Sequence, residues 1–118
     1  MDDYMSRPAN RAIHGVAAVL ISMATCFASD CALAEEKVHV VTIEAMRYVP
    51  EVIEVKAGDT VIWQNKDAFA HTATAVDRSF DSGSIASERN WQFRARRKGS
   101  FSYVCTLHPT MKATLIVR

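Results

Sequence analysis

The chain has 118 residues, of which 14 are Lys or Arg and 13 are Asp or Glu, so its formal net charge is +1. Its length suits one ordinary domain and excludes a large multidomain enzyme, and its near-neutral charge gives no electrostatic case for nucleic-acid binding. A hydrophobic content of 49% is enough to build a core, which excludes an intrinsically disordered chain.

The N-terminal third has the features of a secretory signal peptide. Basic residues precede an apolar segment at 16–28, which is shorter than the about 20 residues that a transmembrane helix needs. An Ala-x-Ala site ends at Ala34, directly before charged residues. We therefore expect a signal peptide at 1–34 that is cleaved after export to the periplasm, and an exported domain at 35–118 without stable membrane association.

The cysteine inventory raises a question about the exported domain. Cys26 and Cys31 leave with the signal peptide, so Cys105 is the only cysteine that remains. A lone thiol in an oxidising compartment is oxidised or paired between molecules unless it is buried or bound to a metal.

Apolar and polar residues alternate through most of the remaining sequence, as they do in half-buried strands. The predicted strands are 37–45, 53–55, 61–63, 71–76, 91–95, 101–105 and 113–117. The apolar face of the first strand changes near Val40, which predicts a bulge there, and the turn at Gly58 predicts a hairpin of the second and third strands. We expect no helix, antiparallel sheets and an all-β sandwich rather than a barrel.

Two segments carry no clear functional signal. The polar segment at 77–90 predicts a loop with a short strand around Phe80, and its role is not apparent. The basic run at 94–98 predicts a solvated edge about 20 Å along the strand direction from Cys105, so its charges act on the site only from a distance.

Cys105, His108 and Met111 stand three residues apart in the sequence CTLHPTM. The short loop predicted at 106–112 would bring their side chains together between two strands. Thiolate, imidazole and thioether form the soft to borderline ligand set that copper prefers, whereas zinc rarely binds Met.

A fourth ligand has to come from elsewhere, and the exported domain offers His39 and His71. We favour His71 because it follows a loop and opens a predicted strand, where a side chain can point into the end of a sandwich. Four protein ligands leave no open position for a substrate, so this set predicts electron transfer and not catalysis.

Two long segments carry a family resemblance. The sequences VPEVIEVKAGDTVIWQNKDAFAHT and FSYVCTLHPTMKATLIV resemble the cupredoxins, the small blue copper proteins, and within them the amicyanins, which share the Cys-x-x-His-x-x-Met spacing. The resemblance implies a Greek-key β-sandwich of about seven or eight strands that binds one copper ion and cycles it between Cu(I) and Cu(II). The implied ligands are His71, Cys105, His108 and Met111.

The resemblance also has implications for the surroundings of the ligands. Asn65, Thr72 and Thr106 are expected to form hydrogen bonds around them. Ala70 and Thr72 flank His71 where amicyanins typically have Pro and Asn, so the hydrogen bonding near Cys105 and the redox potential are expected to differ.

The surface near His108 is expected to receive redox partners. Leu107 and Pro109 flank the ring and predict an apolar docking patch, which Met46 and Phe69 would extend. The resemblance implies a monomeric periplasmic shuttle between a dehydrogenase that donates electrons and a c-type cytochrome that accepts them.

Two other functions remain open at this point. A copper storage or trafficking module would bind the same metal through exposed, exchangeable ligands. An enzyme would use Cys105 as a nucleophile activated by His108 or His71, but it gives Met111 no role.

Overall fold

The computed structural model describes residues 35–118, so the predicted signal peptide at 1–34 lies outside the described residues. Eight strands form in this part of the chain, which agrees with the predicted all-β fold. They are β1 (Val38–Glu44), β2 (Arg47–Val49), β3 (Val52–Val55), β4 (Thr60–Asn65), β5 (Thr74–Ala75), β6 (Asn90–Arg94), β7 (Gly99–Cys105) and β8 (His108–Val117). None of the residues from 35 to 118 belongs to a helix that could cross a membrane.

The strands build two four-stranded sheets that enclose one core. Their orders are β2-β1-β4-β6 and β3-β8-β7-β5. The expected sandwich is confirmed, but the expectation of antiparallel sheets is wrong because β1 pairs with β4 and β3 pairs with β8 in parallel. Alternation requires only that one face of a sheet is buried and the other is solvated, and in this sandwich the parallel pairs meet that condition as well.

The predicted hairpin at Gly58 is also wrong, because β3 and β4 lie in different sheets. The Gly58 amide donates to the Ala95 carbonyl at 2.6 Å, and the Thr60 amide donates to the Lys37 carbonyl at 2.9 Å. The turn therefore crosses between the sheets. Gly58 has a φ of 98°, a conformation that a side chain strongly disfavours.

Strand β1 does not contain the predicted bulge, since it pairs with β4 without interruption from Val38 to Ile43. His39 occupies the same face as the buried Val41 and Ile43, and its Nε2 donates to Asp59 at 2.9 Å. The apolar face of β1 seemed to change in the sequence because the polar His39 occupies an inward position. Asp59 also accepts backbone amides, and the bond from Lys56, together with the one from His39, lowers its pKa to about 2.

Aromatic rings fill the core between the sheets. Trp63 and Tyr103 are fully buried and meet edge to face with ring centroids 5.6 Å apart, and Tyr48 packs on Tyr103 at 4.8 Å. Burial raises the pKa of Tyr103 to about 12. The Tyr103 hydroxyl and the Trp63 indole nitrogen lie beside each other without hydrogen-bond geometry, and neither has another partner among the described residues.

The predicted strand at 71–76 is shorter than expected, since only Thr74 and Ala75 form β5. The preceding residues pair with the polar loop instead. His71 and Ile85 exchange two backbone hydrogen bonds, of 3.1 and 2.7 Å. Residues 71–75 are buried on both faces because the loop covers one of them. The loop at 77–90, whose role the sequence left open, therefore encloses the segment that carries His71.

Candidate metal centre

Cys105 and His108 lie at the two ends of a very tight turn. Strand β7 ends at Cys105 and β8 begins at His108, and these two residues pair directly across the hairpin. The connection is therefore Thr106 and Leu107 alone, shorter than the loop predicted at 106–112. The pairing of β7 with β8 shifts register between Val104 and Cys105. The Cys105 Sγ lies 3.7 Å from Nδ1 of His108.

His71 approaches the same sulfur from the neighbouring segment. Its Nδ1 also lies 3.7 Å from the Cys105 Sγ, and potential ligand atoms of His71, Cys105 and His108 lie within 4.8 Å of one another. First-row metal bonds of about 2.3 Å to thiolate and 2.0 Å to imidazole, at about 120° to each other, would separate sulfur from nitrogen by about 3.7 Å. The two imidazoles and one thiol therefore fit a copper-type ion in both donor chemistry and spacing.

Asp67 fixes the orientation of His71, and the sequence analysis did not identify it. Its carboxylate accepts the Nε2–H of His71 at 2.8 Å, which leaves Nδ1 as the lone-pair donor toward Cys105. A carboxylate on the outer nitrogen of a metal-binding imidazole is common, so an acidic residue four positions before His71 was a usable signal.

Asp67 also stabilises the turn between β1 and β2. It accepts the amides of Ala45 at 2.8 Å and Met46 at 3.0 Å, and both of these residues have positive φ. Burial opposes ionisation of Asp67, but the hydrogen bonds from Met46, His71 and Ala45 outweigh it and hold its pKa below the ordinary value. One carboxylate thus connects the orientation of His71 to the turn that presents Met46.

Thr72 joins the two segments that carry His71 and Cys105. Its amide donates to the Cys105 Sγ at 3.3 Å, and its hydroxyl accepts the Thr106 amide at 2.9 Å. The same hydroxyl lies 3.2 Å from the Thr106 hydroxyl and 3.0 Å from that of Thr74. The hydrogen bond to the sulfur uses the backbone, so it forms although Thr72 replaces the Asn that is typical of the resembling proteins.

Tyr48 and Asn65 support the segment around His71 from two sides. The Tyr48 hydroxyl donates to the Thr72 carbonyl. Burial is the main cause that raises the pKa of Tyr48, and the nearby Cys105 adds to it. The Asn65 side-chain amide donates to the carbonyls of Phe69 at 2.7 Å and Ile85 at 2.9 Å. Asn65 therefore holds both the loop before His71 and the loop that covers it.

The three clustered residues differ in their access to solvent. His71 and Cys105 are completely buried, whereas His108 is partly exposed. Met111 is buried on β8, and it lines a cavity together with Met46. His39, the other histidine of residues 35–118, bonds to Asp59 and is not part of the cluster.

Several apolar residues on the segments that carry or support the cluster are exposed. Leu107 is 53% exposed, Phe69 is 65% exposed and Met46 is 38% exposed. Pro109 is exposed beside His108. The Phe69 carbonyl bonds to Asn65 and the Met46 amide bonds to Asp67, so both residues are attached to the segment that holds His71.

Comparison with known proteins agrees with this arrangement. A family model described as a cupredoxin-like domain matches residues 16–117, a range that begins within the predicted signal peptide. Amicyanin-alpha of Methylorubrum extorquens is 27% identical over 82 residues, which are 65% of this chain and 69% of that protein. Amicyanin of Paracoccus versutus is 30% identical over 83 residues, 66% of this chain and 63% of that protein. The alignments thus span about two thirds of these relatives.

Solved structures share the fold. The Cu(I) form of an amicyanin variant superposes with a TM-score of 0.66 at 28% identity, covering 72% of this chain and 86% of that chain. A copper-containing nitrite reductase from Thermus scotoductus reaches the same TM-score at 23% identity over 23% of its chain, which shows a shared fold only. The family match, the sandwich and the similarity to amicyanins establish that the chain belongs to the cupredoxin-like family.

Proposed function

We propose that the protein is a blue copper electron carrier in which His71, Cys105 and His108 would hold one copper ion and Met111 would contribute a weak fourth ligand. The observation that carries this proposal is the convergence of two imidazole Nδ1 atoms on one buried sulfur, each at 3.7 Å. The copper form of the similar amicyanin structure supports the choice of metal. Bound copper supplies one-electron exchange between the +1 and +2 states.

The protein contributes a ligand set that is held in place by hydrogen bonds. Asp67 orients His71, and Thr72 joins the segments that carry His71 and Cys105. The Thr72 amide on the sulfur also stabilises negative charge on the thiolate, which tunes the redox potential. Because these bonds do not involve the metal, the ligands keep their positions when the charge at the centre changes.

The electron exchanges through the partly exposed edge of His108. His71 and Cys105 are completely buried, so His108 is the imidazole of the cluster that reaches solvent. Leu107 and Pro109 flank it in the sequence, and we infer that the exposed Phe69 and Met46 extend the same apolar surface. Small apolar contacts of this kind suit the brief encounters of redox proteins.

The same geometry disfavours catalysis and copper storage. A nucleophilic thiol needs access to a substrate, and the Cys105 side chain has none. Exchange of stored copper needs exposed ligands, whereas His71 and Cys105 are enclosed by the loop at 77–90 and the β7–β8 hairpin. Four protein ligands would also leave no open coordination position.

We further propose that the protein acts as a monomer in the periplasm after cleavage at Ala34. Cleavage there would leave intact the sandwich, which begins at Val38, and all four proposed ligands. By analogy with amicyanins, a dehydrogenase donates the electron and a c-type cytochrome accepts it.

Titration of the metal-free protein with Cu(II) tests the function. We expect an intense visible thiolate-to-copper band that saturates at one equivalent, bleaches on reduction and returns on oxidation. His71→Gln should lose the band, and the matched variant His39→Gln should keep it. A protein that stays colourless, or a band that is insensitive to His71→Gln, would overturn the proposal.

A further inference from the structure

A cavity of about 250 Å³ lies at the end of the sandwich away from the metal centre. Its floor consists of buried or half-buried apolar side chains, which are Phe80, Phe93, Ala95, Phe101 and Val117. Phe101 precedes Cys105 by four residues on β7, so the cavity is about 13 Å from the sulfur along the strand. This distance separates the cavity from the proposed electron-transfer surface.

Three arginines, Arg94, Arg96 and Arg97, are among the residues that line the cavity, and they are not equivalent. The Arg97 guanidinium lies 5.3 Å from the Phe101 ring centroid and pairs with Asp77 at 3.3 Å. Arg94 also has a carboxylate partner and donates to a backbone carbonyl. Arg96 is exposed and has no carboxylate partner among residues 35–118. Arg96 is therefore the arginine of this lining whose guanidinium has no carboxylate partner within residues 35–118.

We propose that this cavity binds a small aromatic carboxylate, with its ring against Phe93 and Phe101 and its carboxylate on the Arg96 guanidinium. A guanidinium matches a carboxylate through two parallel hydrogen bonds, and aromatic floors favour a flat ring. A cavity of about 150 Å³ already admits a benzene ring, so the space here accommodates a ring with its acidic group. The site is independent of the proposed electron transfer.

An NMR titration of the copper-loaded protein, reduced to Cu(I), with benzoate at constant ionic strength tests the site. We expect saturable shifts of Phe93, Phe101 and Val117 with a dissociation constant below about 1 mM. Acetate carries the charge without the ring, and benzyl alcohol carries the ring without the charge. Both should bind at least about tenfold more weakly, because each lacks one of the two contacts.

Arg96→Gln should weaken benzoate binding by about tenfold or more, since it removes a charge-assisted pair. Arg89→Gln, which alters an exposed arginine that does not line the cavity, should leave binding unchanged. Both variants should keep the visible copper band of the oxidised protein, which shows that they fold. Equal shifts with acetate, benzoate shifts centred on His108, or unchanged binding by Arg96→Gln would each overturn the proposal.

Discussion

Replacing Thr72 by Val removes one hydroxyl and nearly preserves the shape of the side chain. That hydroxyl accepts the Thr106 amide at 2.9 Å and contacts the hydroxyls of Thr106 and Thr74 at 3.2 and 3.0 Å. The Thr72 amide that donates to the Cys105 sulfur is unaffected, because it belongs to the backbone. The substitution therefore removes the hydrogen bonds that join the segments of His71 and Cys105 and leaves the direct contact with the Cys105 sulfur in place.

The expected cost follows from the three hydrogen bonds. Each neutral hydrogen bond contributes roughly 0.5–1.5 kcal/mol, and Thr106 is exposed enough for water to replace part of its loss. We therefore expect Thr72→Val to lower the free energy of unfolding of the metal-free protein by about 2 kcal/mol. The visible copper band should remain, since the ligands and the amide on the sulfur are retained.

Denaturation of the metal-free, reduced protein followed by tryptophan fluorescence measures this change, because Trp63 is buried in the core. Thr42→Val is the matched control, since Thr42 lies on β1 and makes no side-chain hydrogen bond within residues 35–118. It should change the stability by less than about 0.5 kcal/mol. If Thr72→Val and Thr42→Val behave alike, Thr72 does not stabilise the centre in the way inferred here.

Four further predictions concern other parts of the molecule. Asp67→Ala removes the acceptor of the His71 Nε2–H, so we expect copper affinity to fall by about 10- to 100-fold in a competitive chelator titration, and an unchanged affinity would contradict that role. Asp59 has its pKa lowered from 3.8 to about 2, so the stability that it contributes is present above pH 4 and is lost as the pH falls toward 2. The Asp59→Asn variant should therefore lose less stability than the wild type over that range in pH-dependent denaturation, whereas parallel profiles would refute the assignment. Tyr103→Phe deletes a buried hydroxyl without a partner and should raise the stability by about 1 kcal/mol in the same assay, so a large loss would show that the hydroxyl is satisfied. Leu107→Glu should slow electron exchange with a c-type cytochrome in stopped-flow experiments and leave the visible spectrum intact, and an unchanged rate would remove Leu107 from the docking patch.

The sequence was most informative where a pattern reports directly on burial. Alternation located most strands of the sandwich, and the spacing in CTLHPTM pointed to Cys105 and His108, which the structure brings together with His71. Alternation did not reveal that β3 and β4 belong to different sheets, because a strand buries the same side chains whichever neighbour it pairs with. The inward face of β1 was not recognised because it includes the polar His39. This residue is tolerated there because it bonds to Asp59, which is distant in the sequence.

The surroundings of the proposed ligands were harder to predict than the clustering of His71, Cys105 and His108. Asn65, Thr72 and Thr106 were expected near the site, but their partners depend on backbone atoms that only the folded chain brings together. Asp67 was missed because its role arises from three simultaneous contacts, two of them with the distant β1–β2 turn. The loop at 77–90 gave no signal because it acts through its backbone, with Ile85 pairing with His71.

X-ray absorption at the copper edge, in both oxidation states at neutral pH, tests the central claim most directly. A ligand set held by Asp67 and Thr72 predicts one short sulfur contact from Cys105 and two nitrogen contacts, retained almost unchanged when the copper is reduced. Loss of the sulfur, or a different number of nitrogen ligands after reduction, would contradict a centre that is built in advance for electron exchange.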